Sequence, residues 1–103
     1  MATIREVLRA SAVAPVATPH GVFEDVFIDG KLLPRKSIIL CHLMSVMWDP
    51  IEWDEPKKFR PERFIDDNGK LFRPDAFCPF SYGPRQCIGN QLAINEVFLF
   101  ITS

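Results

Sequence analysis

The chain has 103 residues, 48% of them hydrophobic, with nine prolines and a formal net charge of -1. That length allows one small domain at most. The balanced mixture of charges gives no electrostatic footprint for nucleic acid, so no nucleic-acid partner is expected. No apolar run reaches the roughly 18 residues that a membrane span needs, and the opening "MATIREVLRA" lacks the apolar middle of a secretion signal.

In chain order, residues 3 to about 10 read as a helix, with Ile4, Val7 and Leu8 on one face. Pro15 and Pro19 forbid its continuation. The run "GVFEDVFIDGKLLP" carries the pair Asp29-Gly30 between apolar stretches, which is a hairpin signal. "SIILCHL" reads as a buried strand, and "HLMSVMWD" as one or two helical turns closed by Asp49-Pro50. From Ile51 to Phe77 the pattern loses all period, with Trp53, Phe59, Phe64 and Phe72 scattered through it. A long loop of this kind is uncommon and tends to be functional, and its aromatics predict that it is packed down onto a surface. A glycine-hinged turn, "FSYGPRQCIG", follows, and then an apolar helix from roughly Ile88 onward. Both ends read as elements cut short. The first helix has no usual capping pair, and the last stops inside an apolar run with no C-terminal glycine. A helix as apolar as "INEVFLFI" must bury itself against something, and the chain is short for supplying it.

The cysteines are Cys41, Cys78 and Cys87. Their odd count and wide spacing argue against a disulfide framework and for a reducing compartment. Neither a C-x-x-C pair nor a histidine-rich set is present, so zinc is a poor fit. Cys41 and Cys78 read as buried, inert thiols. Cys87 differs in its setting. A thiolate is favoured near a helix N-terminus and near cations, and Cys87 falls where the last helix should begin. The free N–H groups of that first turn point toward the sulfur. Gly83 permits a bend with positive φ, and Gly89 removes a side chain where the helix would press on a flat ligand. Arg85 is two residues before Cys87, which in an extended segment puts both side chains on one face. A catalytic cysteine nucleophile would need a base, and the two histidines, His20 and His42, lie far upstream.

The set Phe80, Gly83, Arg85, Cys87 and Gly89 resembles, at every fixed position, the haem-binding signature of the cytochrome P-450 monooxygenases. Further pieces agree in the same order. Glu6-Val7-Leu8-Arg9 resembles the Glu-x-x-Arg of that family's K helix, and Thr18 to His20 resembles the segment that follows it into the haem pocket. Pro61-Glu62-Arg63-Phe64 resembles the family's Pro-Glu-Arg-Phe element, and "GNQLA" with the helix after it looks like the L helix. The resemblance covers essentially all of residues 1–103 and is nearest to the microsomal, animal-type branch.

It implies a mainly α chain with a small β component (α+β): K helix, β-hairpin, meander loop, cysteine loop and the start of the L helix, together an incomplete domain. It implies haem b (iron protoporphyrin IX) with Cys87 as axial thiolate and sole metal ligand, the arrangement that gives this family its means of O–O cleavage. Phe80 would pack beside the sulfur, where it limits water. Arg85 would pair with a haem propionate, and His20 would also contact a propionate. Glu6, Arg9 and Arg63 would form a buried structural cluster that pins the long loop to the first helix. No residue is assigned a catalytic role.

In the complete enzyme the resemblance implies insertion of one oxygen atom from O2 into a small apolar substrate. The electrons would come from NADPH through a flavoprotein reductase, which Lys57, Lys58 and Arg60 could help to meet. It places the enzyme on the cytosolic face of the endoplasmic reticulum membrane, held by an N-terminal anchor that these residues do not include. Family members are several times longer, and their central helix and most substrate-contacting segments have no counterpart here. The chain alone is therefore expected to be inactive. Two other readings stand beside this one: a small haem-binding or regulatory module without oxygenase activity, and a truncated, partner-dependent protein. Two departures from the family pattern are visible. Lys36 stands where glycine is common after the hairpin, so that turn is expected to be strained. The stretch after Arg9, "ASAVAP", is unusually rich in alanine.

Overall fold

The computed structural model describes all residues from Met1 to Ser103. Helix α1 (Ala2–Ser11) stops at Ala12, which turns left-handed at φ 39° and is buried. Its inward stripe differs from the expected one, because the fully buried positions are Ile4, Glu6 and Arg9. Val7 and Leu8 are half-buried at its margins.

After α1 the chain makes two small antiparallel sheets. Strands β2 (Val26–Ile28) and β3 (Lys31–Leu33) form the hairpin, with Phe27 opposite Leu32. Asp29 and Gly30 sit at φ 48° and 73°, the left-handed pair that a two-residue hairpin turn requires. Strand β1 (His20–Gly21) pairs with β4 (Ile38–Ile39). The expectation of a buried strand over "SIILCHL" is corrected here. Only two of those residues pair as a strand, Ile38 is 71% exposed, and Leu40 and Cys41 are exposed as well. Cys41 is thus not a buried thiol. The apolar content of this run marks a face that the chain itself leaves uncovered.

Helix α2 (Leu43–Met47) follows, with His42 as its cap: the Nδ1 atom of His42 accepts from Ser45 N–H at 3.1 Å. Residues 51–77 contain no long element. They hold a single 3-10 turn (Pro61–Phe64) and a lone bridge between Ile65 and Leu71. The chain then runs through a second 3-10 turn (Gly83–Arg85) into helix α3 (Asn90–Thr102).

Two small cores hold these pieces together. One joins Ala12, Leu43, Met47 and Cys78. The other joins Trp53, Phe64, Ala76 and Phe77 under α1, with Phe64 edge-on to Phe77 at 5.0 Å between ring centres. Of the scattered loop aromatics, Trp53 and Phe64 are buried, while Phe59 and Phe72 are exposed. The loop is packed down, as its composition led us to expect, but only along the side that faces α1.

Candidate metal centre

Glu6, Arg9 and Arg63 build the platform. Arg9 Nε and Nη2 donate to the two carboxylate oxygens of Glu6 at 2.7 and 2.8 Å, a bidentate pair with both side chains fully buried. Arg63 Nε reaches Glu6 Oε1 at 3.3 Å, and the backbone N–H of Arg60 donates to the same oxygen at 2.9 Å. Arg9 Nη1 ties the cluster to α2 through the carbonyl of Met47, at 2.9 Å. The rest of the Arg63 guanidinium donates to the carbonyls of Asp54, Glu55 and Lys58. Trp53 lies against both cations, with its ring centre 5.3 Å from the Arg9 guanidinium and 5.8 Å from that of Arg63. Burial pushes the Glu6 carboxyl up. The hydrogen bonds from Arg9 and Arg60 and the charges of Arg9 and Arg63 outweigh it and hold the group below the usual glutamate range. The carbonyl and backbone contacts of this cluster carry no side-chain signature, and sequence reasoning missed them.

Beside α1 the segment Phe80–Gly89 closes on itself. Cys87 N–H donates to the carbonyl of Phe80 at 3.0 Å, and Gln86 N–H to that of Gly83. The turn needs two left-handed residues, Ser81 at φ 62° and Gly83 at φ 75°. A Cβ added at Gly83 would meet nothing within 4 Å, so conformation rather than space calls for glycine there. The role of Ser81 was not read from the sequence. Two local expectations are corrected. Arg85 ends a 3-10 turn rather than lying in an extended segment. Helix α3 begins at Asn90, with Gly89 as its N-cap, so Cys87 stands two residues before the cap and not at the first turn.

Phe80, Arg85 and Cys87 nonetheless open onto one cavity of about 650 Å3, lined mainly by apolar side chains of α1, α2 and α3 and of residues 12–18. That volume lies within the roughly 300–1,000 Å3 of small-molecule and cofactor sites. Arg85 is exposed and makes no ion pair. A Cβ on Gly89 would stand at ordinary contact distance, 3.9 Å, from Cys87 Sγ, so Gly89 lies directly beside the sulfur. Thr18 lines the cavity, but His20 does not; His20 is held in β1 opposite Ile39. Cys78 is buried in the first core, where burial pushes its thiol up against the opposing influence of Arg73.

The donor set fits haem on its chemistry. It offers one exposed sulfur, one guanidinium without an ion-pair partner and one aromatic on the same apolar cavity wall. Comparison with known proteins is decisive for the family. The family model described as "Cytochrome P450" matches residues 1–103.

The chain belongs to the cytochrome P450 family.

It is 45% identical over 102 residues to cytochrome P450 2U1 of Bos taurus, covering 99% of this chain and 19% of that protein. Against cytochrome P450 18a1 of Drosophila melanogaster it is 44% identical over 101 residues, covering 98% and 19%. Against cytochrome P450 2B9 of Mus musculus the identity is 42% over 102 residues, covering 99% and 21%. The chain therefore spans about a fifth of the length of the curated relatives it matches. By family this P450 chain is related to haem monooxygenases, which are oxidoreductases. No helix in it is long and apolar enough to cross a membrane.

Proposed function

We propose that this P450 chain, residues 1–103, is the haem-ligating part of a monooxygenase domain. In this reading α1 is the K helix, residues 51–77 the meander, Phe80–Gly89 the cysteine loop and α3 the start of the L helix. The observation that carries it is the convergence of Phe80, Arg85 and Cys87 on one apolar cavity of about 650 Å3.

Cys87 Sγ would hold the iron of haem b. The left-handed turn at Ser81 and Gly83 presents it, and the bond from Cys87 N–H to the Phe80 carbonyl fixes it. Phe80 keeps water from the sulfur. Arg85, a planar and permanently charged donor without another partner, pairs with a propionate. Gly89 stands beside the sulfur, and His20, held in β1 outside the cavity lining but two residues past Thr18, would be the second propionate contact. When bound, haem supplies the oxygen chemistry by which one atom of O2 enters a small apolar substrate. The residues here contribute ligation, orientation and an apolar wall.

The electrons come from NADPH through a flavoprotein reductase. Attachment to the cytosolic face of the endoplasmic reticulum belongs to an N-terminal anchor outside these residues. Lys58 pairs with Glu55, and Arg60 with Asp54 at 2.7 Å and Glu55 at 3.3 Å. Of the three basic residues singled out for a reductase, only Lys57 then keeps an uncompensated charge.

The test is a chimera in which residues 1–103 replace the matching fifth of cytochrome P450 2U1. It is expected to take up haem and to give the ferrous–CO absorption of thiolate ligation. Cys87→Ser should abolish that band. An unchanged spectrum in the serine variant would overturn the assignment.

A further inference from the structure

On the far side of Phe80 lies a second, smaller cavity of about 140 Å3, between α1, α3 and the end of the long loop. It shares Leu8, Pro79, Phe80 and Gln86 with the larger one as a common wall. We propose that it is a binding site for a small phosphate-class oxyanion, held between Arg5 and Arg73.

Four polar side chains reach it: Arg5 from α1, Arg73 from the loop, and the amides of Gln86 and Asn90. No aspartate or glutamate lines it. The two guanidiniums are held in place without being neutralised. Arg5 donates to the carbonyl of Phe72. Arg73 donates to that of Phe77 at 3.2 Å and stacks on the Tyr82 ring at 5.0 Å. Each bond uses a single N–H, which leaves the rest of each planar fork to a ligand. Arg9, Arg60 and Arg63 all have carboxylate partners, whereas Arg5 and Arg73 have none.

The consequence is visible on Arg5. Burial pushes its guanidinium below the ordinary range, and the like charge of Arg73 pushes it further in the same direction. Two cations held together this way repel each other, and an anion between them reverses the sign of that interaction. The ligand's class follows from size and charge. The volume falls below that of sites for drug-sized molecules, which excludes a nucleotide. Forked donors from two arginines match the oxygens of phosphate or sulfate better than a spherical halide.

The test uses the 1–103 chain without haem, so its outcome is independent of the cofactor reading, and carries Leu99→Lys and Phe100→Glu on the exposed face of α3 in every sample to keep it dispersed. Inorganic phosphate is titrated at constant ionic strength by calorimetry and phosphorus NMR, on preparations whose circular dichroism shows the helical signal. Wild type is expected to bind phosphate, with sulfate competing and chloride not. Arg73→Gln should weaken binding about tenfold or more, which is the scale of one charge-assisted hydrogen bond. Arg5→Lys keeps the charge but loses the fork, and should weaken it several-fold. Arg35→Gln, in the turn after the hairpin, should bind as wild type does. Absence of phosphate binding, equal affinity in the Arg73 variant, or equal loss in the Arg35 control would each overturn the site.

Discussion

At φ 71°, Lys36 holds its Cβ close to its own carbonyl oxygen, a conformation that costs a residue other than glycine about 1 kcal/mol or more. The surrounding contacts hold it there: Lys36 N–H donates to Val22 O at 2.7 Å, and Ser37 N–H to Pro34 O at 3.1 Å. This is the place where the family pattern has glycine, so the expected strain has a backbone angle to match. Replacing the lysine relieves the clash but adds freedom to the unfolded chain. Lys36→Gly is expected to gain about 0.5–1 kcal/mol, on the scale of such backbone substitutions. The gain should appear as a higher urea midpoint at unchanged slope. Arg35→Gly, one residue earlier and free of positive φ, should lose stability. If the two glycine variants move together, strain at Lys36 is not the cause.

Among the elements, α1 and the long loop are joined both by the apolar core around Phe64 and by a buried charge cluster. Glu6 takes donors from Arg9, Arg63 and the Arg60 backbone while wholly buried. Glu6→Gln would leave two buried guanidiniums without their counter-charge, at a cost of roughly 3–5 kcal/mol. Lys58→Gln removes only a surface pair and should cost under about 1 kcal/mol. The same cluster sets an acid limit. The folded Glu6 carboxyl lies below the ordinary value of about 4.3, so its contribution is complete above that pH. It is lost as pH falls through the lower folded value. Urea midpoints measured from pH 6 to 2.5 should fall steeply below about pH 4 in wild type, and the fall should be shallower in Glu6→Gln. Parallel curves would remove Glu6 from the account.

The spacing of Glu6 and Arg9 was legible because one helical turn separates them, and the Asp29-Gly30 turn because its backbone demand is local. What was not legible depends on distant contacts. Which loop aromatics are buried is decided by the α1 surface that Trp53 and Phe64 meet. The shortness of β4 is decided by what lies over Ile38 and Leu40. Arg5 and Arg73 stand 68 positions apart, and nothing in the local pattern of either announces the other.

The molecule as a whole is too open for its length. Its radius of gyration is 16.0 Å, against about 13 Å for a compact chain of this size. Its accessible surface is 7589 Å2, against about 5,900 Å2 expected for a folded monomer of 11.8 kDa. The excess, roughly 1,700 Å2, is comparable to a whole standard protein–protein interface. Large apolar side chains are exposed along the chain, and α3 buries none of its residues and leaves Phe100 88% exposed. A surface of that size and polarity does not stay in water unpartnered. The chain alone is therefore expected to self-associate at micromolar concentration and to bind a hydrophobic dye. Placing charges on the helix with Leu99→Lys and Phe100→Glu should raise the concentration at which association begins, since neither side chain supports a core. The two small cores and the Glu6 cluster lie elsewhere, so helical content should be unchanged. A wild-type chain that scatters as a monodisperse monomer near 16 Å and binds no dye would show that the open shape is stable in itself. The apolar face of α3 would then need another explanation than contact with further protein.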